Sequence, residues 1–253
     1  MNLLTRLLPR RAPDAPDAQD AHAAAPVARW PSQCLACHAW PAQTLCGDCV
    51  ARFAPATARC RGCALPVPAG VTLCGACLRA PPPMALCLAA LPYAWPWSMC
   101  IGRWKFEGDV GLTGPLAALL RGAPGVRAAL ADADWVLPVP LSPERLAERG
   151  HNPAPLLARR LAPARVHAGI LLRTRHTPPQ RSLPRAARLK NVRGAFQVDP
   201  LLAPRLRGRR VALVDDVMTT GASLREAAGA LREAGAAEVT ALVLARTDER
   251  QIG

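Results

Sequence analysis

The chain has 253 residues, with 32 Lys+Arg against 18 Asp+Glu, ten cysteines and an apolar fraction of 51%. That much apolar material supplies a core and excludes a wholly disordered chain, and prolines and glycines without a period exclude a collagen-like or coiled-coil rod. The length admits one to two domains, and the net charge of +14 must be located along the chain before it is interpreted, since only Lys105 and Lys190 among the basic residues are lysines.

In chain order, residues 1–30 are rich in Ala, Pro and Asp without apolar periodicity and read as a disordered tail. The stretch from Met1 to Arg11 carries an arginine within its apolar run and no small-residue cleavage site, so it does not read as a secretory signal. Residues 31–80 read as a small metal-stapled module, followed by a hinge at Pro81, Pro82 and Pro83. Residues 80–102 are uncharged, but five prolines interrupt them, and a membrane span needs about 20 apolar residues in continuous helix. A linker plus a buried strand is expected there, with no transmembrane segment. The chain is accordingly expected to be soluble and cytoplasmic, where thiols stay reduced and paired cysteines point to metal rather than to disulfides.

Residues 85–250 have the texture of an α/β domain. Leu112 to Leu130 shows helical apolar spacing with a break at Gly122–Gly125, and Trp135 to Pro140 reads as a short strand feeding a loop. Leu156 to Leu161 is again helical. Val211 to Val214 is a four-residue strand, and Leu224 to Ala234 is an amphipathic helix stopped by Gly235. Glu238 to Ala245 is a further strand, and strand–helix–strand in this order predicts a parallel sheet buried on both faces.

The cysteines form four C-x-x-C pairs, Cys34/Cys37, Cys46/Cys49, Cys60/Cys63 and Cys74/Cys77. Such a turn aims two thiolates at one centre, and two turns complete a tetrahedral site. Eight ligands imply two zinc ions, and complete thiolate sets leave no open coordination position, so both sites read as structural. The repeat of Thr44-Leu-Cys-Gly-Asp-Cys49 in Thr72-Leu-Cys-Gly-Ala-Cys77 favours sequential sites; interleaved pairing, and iron in place of zinc, stay open. Cys87 and Cys100 lie in apolar surroundings and read as core, and His38 reads as a bystander.

The most informative segment is Val211-Ala-Leu-Val-Asp-Asp-Val-Met-Thr-Thr-Gly-Ala-Ser-Leu224. A strand ends in two carboxylates, Asp215 and Asp216, and a hydroxyl-rich loop with one glycine opens into a helix. Ligands sit beyond the carboxyl ends of parallel strands, and a helix N-terminus offers amides and a positive dipole end to a phosphate. Gly221 clears the approach, Thr219, Thr220 and Ser223 add hydroxyls, and the acidic pair suits sugar hydroxyls or magnesium. The ligand outlined is a 5-phosphorylated sugar. The plainer alternative is an ordinary strand end with a threonine helix cap.

This segment closely resembles the phosphoribosyl pyrophosphate (PRPP) motif of type I phosphoribosyltransferases. Val136-Leu-Pro-Val-Pro-Leu141, Arg145, Arg149-Gly-His-Asn152, Arg173-Thr174, Gln180 and Arg188-x-x-Asn191-x-x-Gly194-Ala-Phe196 are similar, in order and spacing, to the ComF/GntX family of competence-related proteins. The resemblance spans roughly residues 34–247. It implies a type I phosphoribosyltransferase-like parallel sheet flanked by helices, preceded by a double zinc ribbon. It implies further that Asp215 and Asp216 hold the ribose hydroxyls, that Thr219, Thr220, Gly221, Ala222 and Ser223 hold the 5-phosphate, and that Arg145 and Arg149 are pyrophosphate-loop candidates. Where that family reads Arg-Gly-Phe-Asn-Gln, this chain has Arg149-Gly-His-Asn-Pro153, which removes an amide on that side.

The charge has a location. From Arg145 to Arg193 there are twelve basic residues and the single acid Glu148. They suit either a bidentate grip on pyrophosphate or a track for single-stranded DNA, and Arg173–Arg193 falls where these transferases carry a mobile lid. His151 lies near the pyrophosphate loop without a partner, His167 and His176 have no assigned part, and Trp95, Trp97, Trp104 and Phe106 read as core. Two functions compete. One is magnesium-dependent transfer of ribose 5-phosphate from PRPP to an acceptor. The other is a non-catalytic accessory of DNA uptake that binds single strands beside a competence helicase, with PRPP as a regulatory ligand.

Overall fold

The computed structural model describes residues 32–40, 43–174 and 194–248. The tail and most of the lid region, with His176, Gln180 and Arg188–Asn191, lie outside the described residues. Helices α1 (Gly47–Phe53) and α2 (Gly75–Arg79) belong to the cysteine-rich part. Then follow β1 (Leu86–Pro92), α3 (Trp97–Phe106), α4 (Thr113–Gly122), α5 (Val126–Asp132), β2 (Trp135–Pro138), α6 (Pro143–Arg149), α7 (Pro153–Leu161), β3 (Leu171–Arg173), β4 (Phe196–Val198), α8 (Ala203–Leu206), β5 (Arg210–Met218), α9 (Ala222–Glu233) and β6 (Glu238–Arg246).

The main sheet is parallel throughout, in the order β1-β6-β5-β2. Strands β5 and β6, joined by α9, form the βαβ unit expected from the sequence. Alternation along β5 sends Val211 and Leu213 to one core, with α9 and the β3–β4 ribbon, and Ala212 and Val214 to the other, with α3, α4, α5 and α7. Both faces are buried, which is why these strands read as unbroken apolar runs. Each fully buried leucine, such as Leu137, Leu157 or Leu213, stabilises the fold by about 1.5–3 kcal/mol.

The helix break falls at Gly125, left-handed at φ 79°, between α4 and α5, and Gly235, at φ 99°, follows α9. Two expectations are corrected. The strand read as Val211–Val214 runs nine residues to Met218, so Asp215 and Asp216 lie within its pairing with β6. Ladder bonds come from the backbone and continue where the apolar side chains stop. Residues 97–102, read as part of an uncharged linker and strand, belong to helix α3, which buries Trp97 and Trp104 but leaves Phe106 52% exposed; Trp95, before it, is 58% exposed.

The cysteine clusters sit on opposite faces of the sheet. Cys60, Cys63 and Cys77 join the core under α9, whereas Leu45 and Phe53 of the first half pack with α3 and α4. Both outer strands meet irregular backbone: Cys87 N donates to Arg61 O at 2.7 Å, and Val136 bridges Val166. No described helix is long and apolar enough to cross a membrane.

Candidate functional site

The sulfur atoms of Cys34, Cys37, Cys46 and Cys49 lie within 4.8 Å of one another, as do those of Cys60, Cys63, Cys74 and Cys77. The pairing is therefore sequential. A tetrahedral zinc site with bonds of about 2.3 Å has sulfur–sulfur edges of about 3.8 Å. Cys34–Cys49 at 3.9 Å, Cys37–Cys46 at 3.7 Å and Cys63–Cys74 at 3.7 Å match that edge.

The halves also repeat in backbone detail. Cys34 Sγ accepts from Cys46 N at 3.4 Å and Cys60 Sγ from Cys74 N at 3.2 Å. His38 and Ala64 take the same left-handed position one residue past each knuckle, at φ 60° and 55°. Burial pushes the Cys34 thiol up, but the amides of Cys37, Cys46 and Ala36 outweigh it and hold the thiol down at about 6. Against the same opposition from burial, the Cys77 amide and neighbouring thiols hold Cys74 at about 7. Each cluster thus has one sulfur prepared to be a thiolate, the form that binds metal. Cys87 and Cys100 are buried core residues, as read from the sequence.

A cavity of about 510 Å³ opens at the carboxyl end of β5. Its floor is Asp215 and Asp216, its rim on one side the turn into α9, and on the other the arginines of α6 and β3. Of the expected phosphate loop, Thr219, Gly221, Ala222 and Ser223 line the cavity, while Thr220 Oγ1 accepts from Ala222 N at 3.4 Å. Gly221 sits at φ 77°, and a Cβ there would fall 2.2 Å from Met218 Cε. Only glycine takes that turn without strain. No side chain caps α9 through Gly221, so the first amides of a twelve-residue helix border the cavity.

Arg145 and Arg149 line the opposite wall, but from helix α6 rather than a loop: Ser142 caps that helix and Pro143 fills its first turn. Arg173 joins them from β3. Burial first, then the charge of Arg149, lowers the pKa of Arg145; burial first, then Arg145, lowers that of Arg173. Three guanidinium groups that disfavour one another form a wall suited to a polyanion. Arg149 also lies 4.9 Å over the Phe106 ring.

The departure at His151 and Pro153 is structural. Asn152 caps α7, accepting from Ala154 N at 3.1 Å and donating to Val139 O at 3.0 Å. Pro153 then occupies the first helical position, where a missing N–H costs nothing. His151 Nε2 lies 3.1 Å from Trp104 O and Nδ1 3.3 Å from Arg149 O, tying this turn to α3. His167 stacks against Trp135 with ring centres 4.5 Å apart.

One site residue escaped sequence reasoning. Lys105, at the end of α3, donates from Nζ to Asp216 Oδ1 at 2.9 Å with both side chains nearly buried, and it lines the cavity. The available signal was its being one of two lysines in an arginine-rich chain; its partner is 111 residues away.

Asp215 shows the cost of this crowding. Burial, then the adjacent Asp216 carboxylate, pushes its carboxyl up from 3.8 to about 7, against the pull of Asp216 N, Lys105 and Arg173. The folded chain therefore binds this proton more tightly than the unfolded chain does. Its stabilisation is complete below about pH 4 and is lost as pH rises through about 7. Without ligand, thermal unfolding midpoints should fall from pH 5 to pH 8. Asp215→Asn should match the parent near pH 4 and exceed it by a growing margin toward pH 8; parallel profiles would refute this assignment.

Comparison with known proteins adds the following. The sequence model of a family described as "Phosphoribosyl transferase domain" matches residues 146–252. "Competence protein F" of Haemophilus influenzae is 37% identical over 154 residues, covering 58% of this chain and 66% of that protein. "DNA utilization protein YhgH" of Escherichia coli O6:H1 is 36% identical over 117 residues, covering 45% of this chain and 50% of that protein. The chain thus matches about half to two thirds of the length of these relatives.

Proposed function

Because the chain belongs to the ComF family and carries a phosphoribosyltransferase domain, we propose that the cavity over β5 binds PRPP and that the protein transfers ribose 5-phosphate from it to an acceptor. The observation that carries this reading is the juxtaposition, around one cavity, of an acidic pair, a helix N-terminus and three mutually repelling arginines. Those are the three chemistries of PRPP: ribose hydroxyls, a terminal phosphate and a pyrophosphate.

In this reading Asp215 and Asp216 accept from the ribose hydroxyls, and the 5-phosphate sits on the amides and hydroxyls of Thr219–Ser223. Arg145, Arg149 and Arg173 receive the charge that builds on the departing pyrophosphate as the anomeric bond breaks. The carboxylate oxygens at the cavity floor are hard donors that fit magnesium, which would neutralise pyrophosphate and draw most of its ligands from substrate oxygens and water. The Lys105 ammonium already offsets part of the negative charge at Asp216. The two four-thiolate clusters fit structural zinc by edge length and donor type. The division into a cysteine module over residues 31–80 and a transferase-like domain over 85–250 belongs to the same proposal.

PRPP with magnesium should raise the unfolding midpoint by roughly 5–10 °C at a concentration about 100-fold above Kd. Asp215→Asn combined with Asp216→Asn should abolish that shift. An unshifted parent would sink the reading, and release of pyrophosphate against a panel of nucleobases tests turnover.

The relatives' names, with competence and DNA utilization in them, support a role in DNA uptake, for which the alternative reading has the basic stretch track single strands beside a helicase. Of the six described basic residues from Arg145 to Arg173, however, three face the cavity, which favours the pyrophosphate grip. A steep salt dependence of single-strand affinity would instead favour the DNA track.

A further inference from the structure

Arg246 closes strand β6 directly beside the end of β5, with which it is in register at Met218, and its side chain is only 3% exposed. Nε donates to Cys63 O at 2.8 Å. Nη1 donates to Met218 O at 3.1 Å, to Thr247 O at 2.6 Å and to Thr219 O. One guanidinium thus joins the second cysteine knuckle to the first residues of the phosphate loop. Its flat fork serves acceptors from separate segments at once, which an ammonium could not do in the same geometry.

Two further contacts run the same way. Arg225, in the first turns of α9, places Nη2 3.6 Å from Cys77 Sγ, and Cys87 Sγ lies 3.6 Å from Met218 Sδ. Cys77 of the second cluster thus reaches the first turns of α9 through Arg225, and the core residue Cys87 packs on Met218, where the phosphate-loop turn begins. The first cluster has a different neighbour: Phe53 O, at the end of α1, accepts from Trp97 Nε1 at 2.7 Å, on the opposite face of the sheet.

We propose that Arg246 is a positioning residue that locks the phosphate loop to the Cys60–Cys77 metal site, so that metal at this site and anion binding at Thr219–Ser223 stabilise each other. The Cys63 carbonyl lies inside the knuckle whose shape the metal fixes. Loss of the metal frees that carbonyl and leaves a buried guanidinium donor without its acceptor. The guanidinium then shifts toward new partners, and the Met218 and Thr219 carbonyls, held by the same group, shift with it. Linkage makes the effect reciprocal, so a bound phosphate should slow metal loss at this site. The inference rests on the reading of Thr219–Ser223 as the phosphate cradle, and two separate readouts divide their fates.

The test uses the full zinc-loaded chain. Amide exchange over residues 217–224, PRPP affinity with magnesium by calorimetry, and zinc content are measured for the parent, Arg246→Gln, Arg246→Lys, Cys74→Ser and Cys37→Ser. Arg246→Gln should keep both zinc ions, yet lose about tenfold in loop protection and about tenfold in PRPP affinity. Arg246→Lys should fall between, and Cys74→Ser should reproduce the loss. Cys37→Ser, which breaks only the first cluster, should leave both readouts within about twofold of the parent. Unchanged loop exchange in Cys74→Ser, or equal effects from Cys37→Ser, overturns the coupling. If the parent binds no PRPP, the cradle reading fails, while the exchange data still decide the mechanical link. If Arg246→Gln does not fold, Arg246→Lys and the two cysteine variants carry the same decision.

Discussion

Lys105→Met is expected to lower the unfolding free energy by about 3–5 kcal/mol, the typical consequence of removing one partner from a buried ion pair. The lysine ammonium lies 2.9 Å from Asp216 Oδ1, and the side chains are 11% and 10% exposed. Without it, Asp216 keeps the amide of Val217 at 2.5 Å but faces Asp215 with no nearby lysine to offset the pair. Lys105 is also one of the charges that hold the Asp215 carboxyl down, so in the variant that carboxyl should titrate still higher and the pH dependence of stability should move up with it. Adding Asp216→Asn should recover much of the lost stability, because a neutral amide needs no counter-charge. The recovered double variant should nevertheless fail to bind PRPP. Urea unfolding of the parent, both single variants and the pair forms the required cycle; additive effects would show that the two groups do not sense each other.

Metal removal should act unequally on the two cysteine clusters. The first has a nucleus of its own of only Cys34, Ala36 and Cys49, two of them candidate ligands, and reaches the domain core through buried Leu45 and the partly buried Leu35, Val50 and Phe53. That contact is much smaller than the second half's share of the core, so residues 32–54 depend more on the metal, and structural zinc contributes about 10–16 kcal/mol to comparable small modules. Chelation should therefore unfold this segment outright. Residues of the second cluster share a core with Leu213, Leu231 and Val243, so the sheet should survive the same treatment in weakened form. Far-ultraviolet circular dichroism should lose little signal, whereas limited proteolysis should cut first between residues 43 and 60. Cleavage beginning in β5 or α9 would contradict this order.

Local signals carried much of the fold. The C-x-x-C repeat announced both clusters, and Gly125 and Gly235 fall where backbone geometry demands glycine. The strand β5 came out short because sequence periodicity registers side chains, and Asp215 and Asp216 interrupt the apolar run while the ladder continues beneath them. Helix α3 was hidden for the opposite reason. Pro92 and Pro96 before it and the lack of charge up to Gly102 resemble a linker, and only packing against α1 and Thr113 reveals why Trp97 and Trp104 are inside. The acidic pair and the glycine turn were legible as a site because they are contiguous. Lys105 and Arg246 were not, because each acts on residues far away in the chain, and nothing local in a lone basic residue names its partner.

The covered edges of the sheet have a consequence for how the chain behaves when metal is scarce. Strand β1 is an outer strand, and the backbone bond that covers it goes to Arg61, between the candidate ligands Cys60 and Cys63. An apolar parallel strand with bare amides is a template for pairing with another chain. The second knuckle is thus also a shield against self-association. A metal-starved chain would expose a sticky edge before it lost its sheet, so its loss from solution would be set by aggregation rather than by global unfolding.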